Sequence, residues 1–169
     1  GMVVCTHIGS SSQLPKTAPD CPLITSVVLT PLNAMINLVD WLVSGQFLRH
    51  PGLKLALSEG GIGWIPPVLE RTAYTLDRHK YWAAQGDFTL HGANVSGTVP
   101  EGLLDADVHQ LFRDHVFGCF IDDEFGVANL DAIGVDNVMA ESDYPHTDST
   151  WPNSLSTIQE RLKHRSDED

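Results

Sequence analysis

Four short apolar runs, each passing straight into polar residues and each followed by a segment of helical spacing, leave this chain few folds to choose from. The runs are Val3 to Thr6, Leu53 to Ser58, Val116 to Ile121 and Val138 to Ala140. After the first, Leu32, Met35, Ile36, Leu38, Val39, Leu42, Val43 and Phe47 recur at helical spacing over 32–48, with Pro31 suited to the first turn. The polar positions in that stretch are few, so the helix is expected to be buried around much of its circumference. Pro66 and Pro67 open a second helix carrying Val68, Leu69, Ala73, Leu76 and Trp82. Further helices are expected over 105–115, 128–133 and around Leu155, Ile158 and Leu162. Strand followed by helix, repeated, implies parallel strands joined by right-handed crossovers. The expected fold class is therefore α/β with a parallel sheet.

Two segments interrupt the alternation. Residues 13–23 are rich in proline and polar side chains and read as a loop. Residues 83–105, broken by Gly86, Gly92, Gly97 and Pro100, read as a long excursion with a short extended piece at Phe88 to Leu90 and room for a hairpin. The residues from 165 to the end form a polar tail. A length of 169 residues suits a single domain, 1–169, with a real core.

The charge balance narrows the partners. A net charge of -12 speaks against nucleic acid, which is bound largely by neutralising phosphates, and against an anionic membrane surface. No apolar run is read as approaching the roughly 20 residues of a membrane span. Cys5, Cys21 and Cys119 are widely spaced with no paired motif, so a cytoplasmic protein without disulfides or a cysteine zinc site is expected.

In a parallel sheet the carboxyl ends of all strands share one edge, and here those ends bring His7, Glu59, Asp122 with Asp123, and Asp143 together. One imidazole and several carboxylates on one edge form a metal-site inventory. For His7 a polar residue in a turn is the other reading. Asp143 could hold a metal, act as a base or cap the helix that follows. Trp64, His79, Tyr144 and His146 are candidate pocket-wall or substrate-binding residues, with packing as the alternative for the aromatics.

Several segments carry a resemblance. They are Val4-Cys5-Thr6-His7-Ile8-Gly9-Ser10-Ser11, the run from Leu57 through Glu59-Gly60-Gly61 to Pro66, the Leu69-Glu70-Arg71 to Arg78-His79 helix, Phe117-Gly118-Cys119-Phe120, and Glu141-Ser142-Asp143-Tyr144-Pro145-His146 on to Pro152. In this order they resemble the amidohydrolase-related family of metal-dependent (β/α)8-barrel enzymes, in the branch that includes aminocarboxymuconate-semialdehyde decarboxylase. The resemblance implies a partial TIM barrel, strands five to eight with their helices. It implies that His7 is a metal ligand and that Asp143 binds the metal or activates its water. Glu59 stands where the decarboxylases carry a catalytic histidine, so the implied catalytic pair is Asp143 and Glu59. The implied cofactor is a divalent cation, Zn2+ by preference, at low occupancy because His7 and Asp143 are two ligands where catalytic zinc usually has three, with Glu59 or His146 the candidates for a third.

The implied function is a hydrolase or decarboxylase acting on a small organic substrate. The alternatives are an inactive half-barrel stabilised by oligomerisation and a small-molecule binding module. Half of a closed barrel leaves two sheet edges and an apolar inner face open. A homodimer is the expected cover, with a separately encoded N-terminal half as the other candidate.

Overall fold

The computed structural model describes residues 2–83, 87–90 and 93–165. The chain opens with strand β1 (Val3–His7). Helices α1 (Leu23–Leu29) and α2 (Pro31–Val43) follow, with only Thr30 between them. Gly45 then turns the chain in the left-handed region at φ 73°, and a Cβ on it would lie 2.5 Å from the Pro100 ring. One further turn, α3 (Gln46–Arg49), leads into β2 (Lys54–Ser58). Helix α4 (Ile65–Arg78) starts with prolines in its first turn, and α5 (Lys80–Ala83) adds one turn.

The excursion contains a hairpin of β3 (Asp87–Leu90) and β4 (Ala93–Ser96), a sheet of its own. Helix α6 (Val108–His115) is capped by Asp107, whose side chain accepts from His109 and Gln110 N–H. Strand β5 (Val116–Phe120) is followed by two single turns, α7 (Glu124–Ala128) and α8 (Leu130–Ile133), then by β6 (Val138–Ala140) and α9 (Ser154–Leu162). The polar tail expected at the end lies outside the described residues from 166 on.

The main sheet is parallel throughout, in the order β1-β2-β5-β6. Strands therefore lie side by side in the order in which they occur, with no reversal. That is the winding of a barrel segment, whereas a doubly wound sheet reverses direction at a switch point. Register decides the two faces. Leu55, Leu57 and Gly118 point at the helices, where they meet Leu38, Leu42, Ile62, Ile65 and Phe112 in the core. Cys5, Ala56 and Phe117 share the other face, as do His7, Ser58, Cys119 and Met139 in the next layer, by extension of the same pairings. Val3 is 56% exposed and Met139 40%, and Cys5 is exposed too.

Three sequence expectations change. The helix read over 32–48 is two, α2 burying only the stripe Ala34, Leu38 and Leu42, and α3 burying Phe47; Ile36 is 68% exposed, and Leu32 and Val39 are exposed as well. An apolar composition all round does not force burial all round when only one face meets the sheet. The loop read over 13–23 holds up to Leu23, but α1 then runs into α2, so that Leu23–Val43 is long and apolar enough to cross a membrane by length and composition, where no run of that length was expected. No such length was expected from a helix read as starting at Leu32, yet Pro31 at the first position of α2 interrupts no hydrogen bond that the helix needs. The short helix read over 128–133 is two turns, α7 and α8, meeting at Asn129.

Gly126 shows how closely α7 sits on the loop after β2. A Cβ there would lie 2.4 Å from Ile62 Cγ1 and 2.7 Å from Asp123 Oδ2. Gly126→Ala is expected to lower stability by about 1–3 kcal/mol through overpacking, read as a reduced urea midpoint with an unchanged slope.

Candidate metal centre

At the carboxyl edge of the sheet, two residues hold an unusual backbone. Glu59 has φ 61° and Asp143 has φ 53°. Left-handed backbone is uncommon outside glycine and clusters where a site over-determines the conformation. In both cases the turn comes just past a strand, β2 and β6, and carries a carboxylate from one strand toward that of the other. Glu141 reinforces the arrangement by accepting the Glu59 backbone N–H, while its own N–H donates to Phe120 O.

The result is a compact acid–imidazole group. Ligand atoms of Glu59, Asp143 and His146 all lie within 4.8 Å of one another. His146 Nδ1 is 2.8 Å from Asp143 Oδ1 and 3.9 Å from Glu59 Oε1. The Asp143 side chain is 8% exposed and that of Glu59 15%, whereas His146 lies open at 67%. Burial, and then the neighbouring Asp143, hold the Glu59 carboxyl above its ordinary range. Burial does the same to Glu141. The hydrogen bond to Asp143 raises the His146 imidazole. Three acids crowded beside one another, relieved by imidazole, form an environment that a cation would stabilise.

His7 reaches the same group in a different role. The Gly9 backbone N–H donates to His7 Nδ1 at 2.8 Å, which leaves the ring proton on Nε2, and Nε2 lies 2.6 Å from Glu59 Oε1. In this tautomer His7 donates to Glu59. The sequence reading pairs His7 with Asp143 as ligands, with Glu59 or His146 as a third; the ligand atoms of Glu59, Asp143 and His146 lie within 4.8 Å of one another, with His7 against Glu59.

The remaining candidates divide. Tyr144 is exposed beside Asp143 and meets Trp151 edge-on at 5.4 Å between ring centroids. Trp64 is partly buried against the core, its indole N–H donating to Gly60 O at 2.7 Å, so it supports the loop that carries Glu59. His79 follows the last residue of α4, a helix that starts at the site edge and runs about 20 Å away from it, so the structure does not bring it to the group.

Two acids read as part of the edge are engaged elsewhere. Asp123 accepts Ile62 N–H at 2.8 Å, Gly63 N–H at 2.8 Å and Gly126 N–H at 2.7 Å, tying the loop after β2 to the start of α7. Asp122 forms a two-pronged pair with Arg161 of α9, which holds its carboxyl below the usual range. Glu141 is the residue that sequence reasoning passed over. Its one signal is its place directly after the apolar run Val138 to Ala140, two residues before Asp143.

Beside Glu59 a cleft of about 320 Å³ opens, lined by Pro31, Gly60, Gly61, Ile121, Asp122 and Asp148 among others. Across the sheet, burial pushes the Cys119 thiol up to about 12, so it is no nucleophile at neutral pH.

A family model described as Amidohydrolase matches residues 3–164. The chain belongs to the amidohydrolase family. The family is in general metal-dependent, and the donors found here, two carboxylates and an imidazole, suit a divalent cation. Among solved structures, an amidohydrolase from Mycobacterium avium subsp. paratuberculosis K-10 is similar, with a TM-score of 0.59 and 21% identity. The likeness covers 87% of this chain and 32% of that one, so this amidohydrolase chain spans about a third of its neighbour's length. At that identity it shows the fold alone: a four-stranded parallel sheet of TIM-barrel type. A search of curated proteins finds no match.

Proposed function

We propose that this chain provides strands five to eight of a metal-dependent amidohydrolase barrel, and that its carboxyl edge hydrolyses or decarboxylates a small organic substrate. The observation that carries the reading is the convergence of Glu59, Asp143 and His146 within 4.8 Å at the strand ends. Those residues would hold the cation, with Zn2+ the preferred metal for a site containing imidazole. A bound divalent cation would lower the pKa of a water and polarise a carbonyl or carboxylate. Glu59 and Asp143 face the same small space and can accept a proton there. His7 orients Glu59 through its Nε2–H, and Glu141 fixes the turn that presents it. The cleft of about 320 Å³ beside Glu59 sets the scale of the substrate, and Tyr144 stands exposed beside Asp143 to meet it. The loss of the histidine that the decarboxylase branch carries at position 59 favours hydrolysis over decarboxylation. Three free cysteines accord with a reducing, cytoplasmic setting.

A second reading is favoured by one observation, the 67% exposure of His146: the chain is a catalytically silent half-barrel whose acid–imidazole group holds no metal. Metal titration separates the two. Loading with Zn2+ followed by gel filtration and elemental analysis is expected to leave one equivalent bound, falling below a tenth in Asp143→Ala and in His146→Ala. Absence of bound metal in the unsubstituted chain, together with no turnover of small amides, would leave the silent half.

A further inference from the structure

We propose that the groove between α2 and α4 binds a small aliphatic monocarboxylate, with its hydrocarbon chain along the groove and its carboxylate on Arg71. The groove shares no residue with the acid–imidazole group or with the cleft beside Glu59, so the proposal stands whether or not metal binds there. Its walls come from the helices that follow two neighbouring strands, β1 and β2, and neither sheet edge takes part in it.

Shape and lining set the first half of the ligand. The groove holds about 360 Å³, within the roughly 300–1,000 Å³ of small-molecule sites. Val39 and Val43 of α2 face Val68 and Leu76 of α4 across it, and Thr72 is among the residues between them. The Thr72 hydroxyl donates to Val68 O at 2.8 Å, so it is satisfied within the helix and asks nothing of a ligand. Such a lining takes a hydrocarbon chain out of water without leaving a polar group unpaired.

Charge sets the second half. Arg71 is the charged side chain that lines the groove. On α4 it shares a face with Tyr74 and Arg78, three and seven positions on. The Arg71 and Arg78 guanidiniums lie 5.6 and 5.5 Å from the Tyr74 ring centroid, both within cation–π range. Among the described residues neither is paired with a carboxylate, in a chain where 22 acidic residues outnumber 10 basic ones. Arg161, Lys163 and Arg165, by contrast, each have an acidic partner. A guanidinium over an aromatic face keeps in-plane N–H donors for other partners, and their fork matches the two oxygens of a carboxylate. An anion there also relieves the repulsion between two cations held at one ring. Net charge then selects among anionic partners. An acidic peptide, or a second copy carrying another -12, meets the repulsion of the whole chain, whereas a monocarboxylate brings a single charge.

The test is calorimetric titration of the whole chain, freed of metal by a chelator, with sodium octanoate as the probe. One equivalent is expected to bind with a Kd of about 1 mM or tighter. Acetate, which lacks the chain, and 1-octanol, which lacks the charge, should each bind at least tenfold more weakly. Arg71→Gln should weaken octanoate at least tenfold with an unchanged far-UV circular dichroism spectrum, while Asp143→Ala should bind it as the parent does. Absence of octanoate binding, 1-octanol binding as tightly as octanoate, or full affinity in Arg71→Gln would each overturn the proposal. So would loss of binding in Asp143→Ala, which would place the carboxylate at the acid–imidazole group. An octanoate affinity that falls as the chain is concentrated would give the groove to a second copy instead.

Discussion

Asp123→Ala is expected to lower the stability of the fold by about 3 kcal/mol or more, a large share of what a domain of this size has to lose. The reason is that one carboxylate satisfies three backbone donors, Ile62, Gly63 and Gly126, at 2.7–2.8 Å. Each bond to a charged acceptor contributes roughly 1.5–3 kcal/mol, and removing the acceptor strands N–H groups in a partly buried loop. The three donors come from two segments about sixty residues apart, so the loss also unties the loop after β2 from α7. Asp123→Asn keeps one carbonyl oxygen and should recover part of the loss. Urea unfolding followed by far-UV circular dichroism gives the numbers. A change below about 1 kcal/mol for the alanine variant would show that water replaces the carboxylate at all three amides.

Glu59→Gly is expected to move stability and metal binding in opposite directions. Glycine adopts a φ of 61° without strain, whereas a residue with a Cβ gives up about 1 kcal/mol there. The substitution also removes one of three crowded acids, Glu59, Asp143 and Glu141, the first and third of which burial already holds above their ordinary range. The folded state should gain about 1 kcal/mol, read as a higher midpoint in thermal or urea unfolding. Zn2+ affinity should fall by more than about 100-fold, because a ligand is lost outright and His7 loses its partner. A variant that is less stable than the parent would mean that the left-handed turn carries no strain. A variant that binds Zn2+ as the parent does would remove Glu59 from the ligand set.

The fold was legible wherever hydrophobic period and chain order settle the matter. Val3 to Thr6, Leu53 to Ser58 and Val116 to Ile121 are strands to within a residue or two, because short apolar runs that pass straight into polar and glycine-rich residues are too short for helices. Exposure was not legible: Ile36 and Val28 are as apolar as Leu38, and only the placement of α1 and α2 in the fold says which of them meets a neighbour. The site was half legible. Glu59 and Asp143 stood out because they follow strands, but so did Asp122 and Asp123, whose side chains turn to Arg161 and to backbone amides.

What the amino-acid order determined by itself is the alternation of strand and helix, hence parallel strands with their carboxyl ends on one edge, and the residues set along that edge. Which of those residues face one another was decided only in three dimensions. The left-handed turns at Glu59 and Asp143 swing two carboxylates together, and the parallel register of β1 with β2 brings His7 to Glu59. The turn back from Asp143 then places His146 over both. Side-chain direction at a strand end depends on one or two backbone dihedrals and on the register of the neighbouring strand, and neither is encoded in local hydrophobicity.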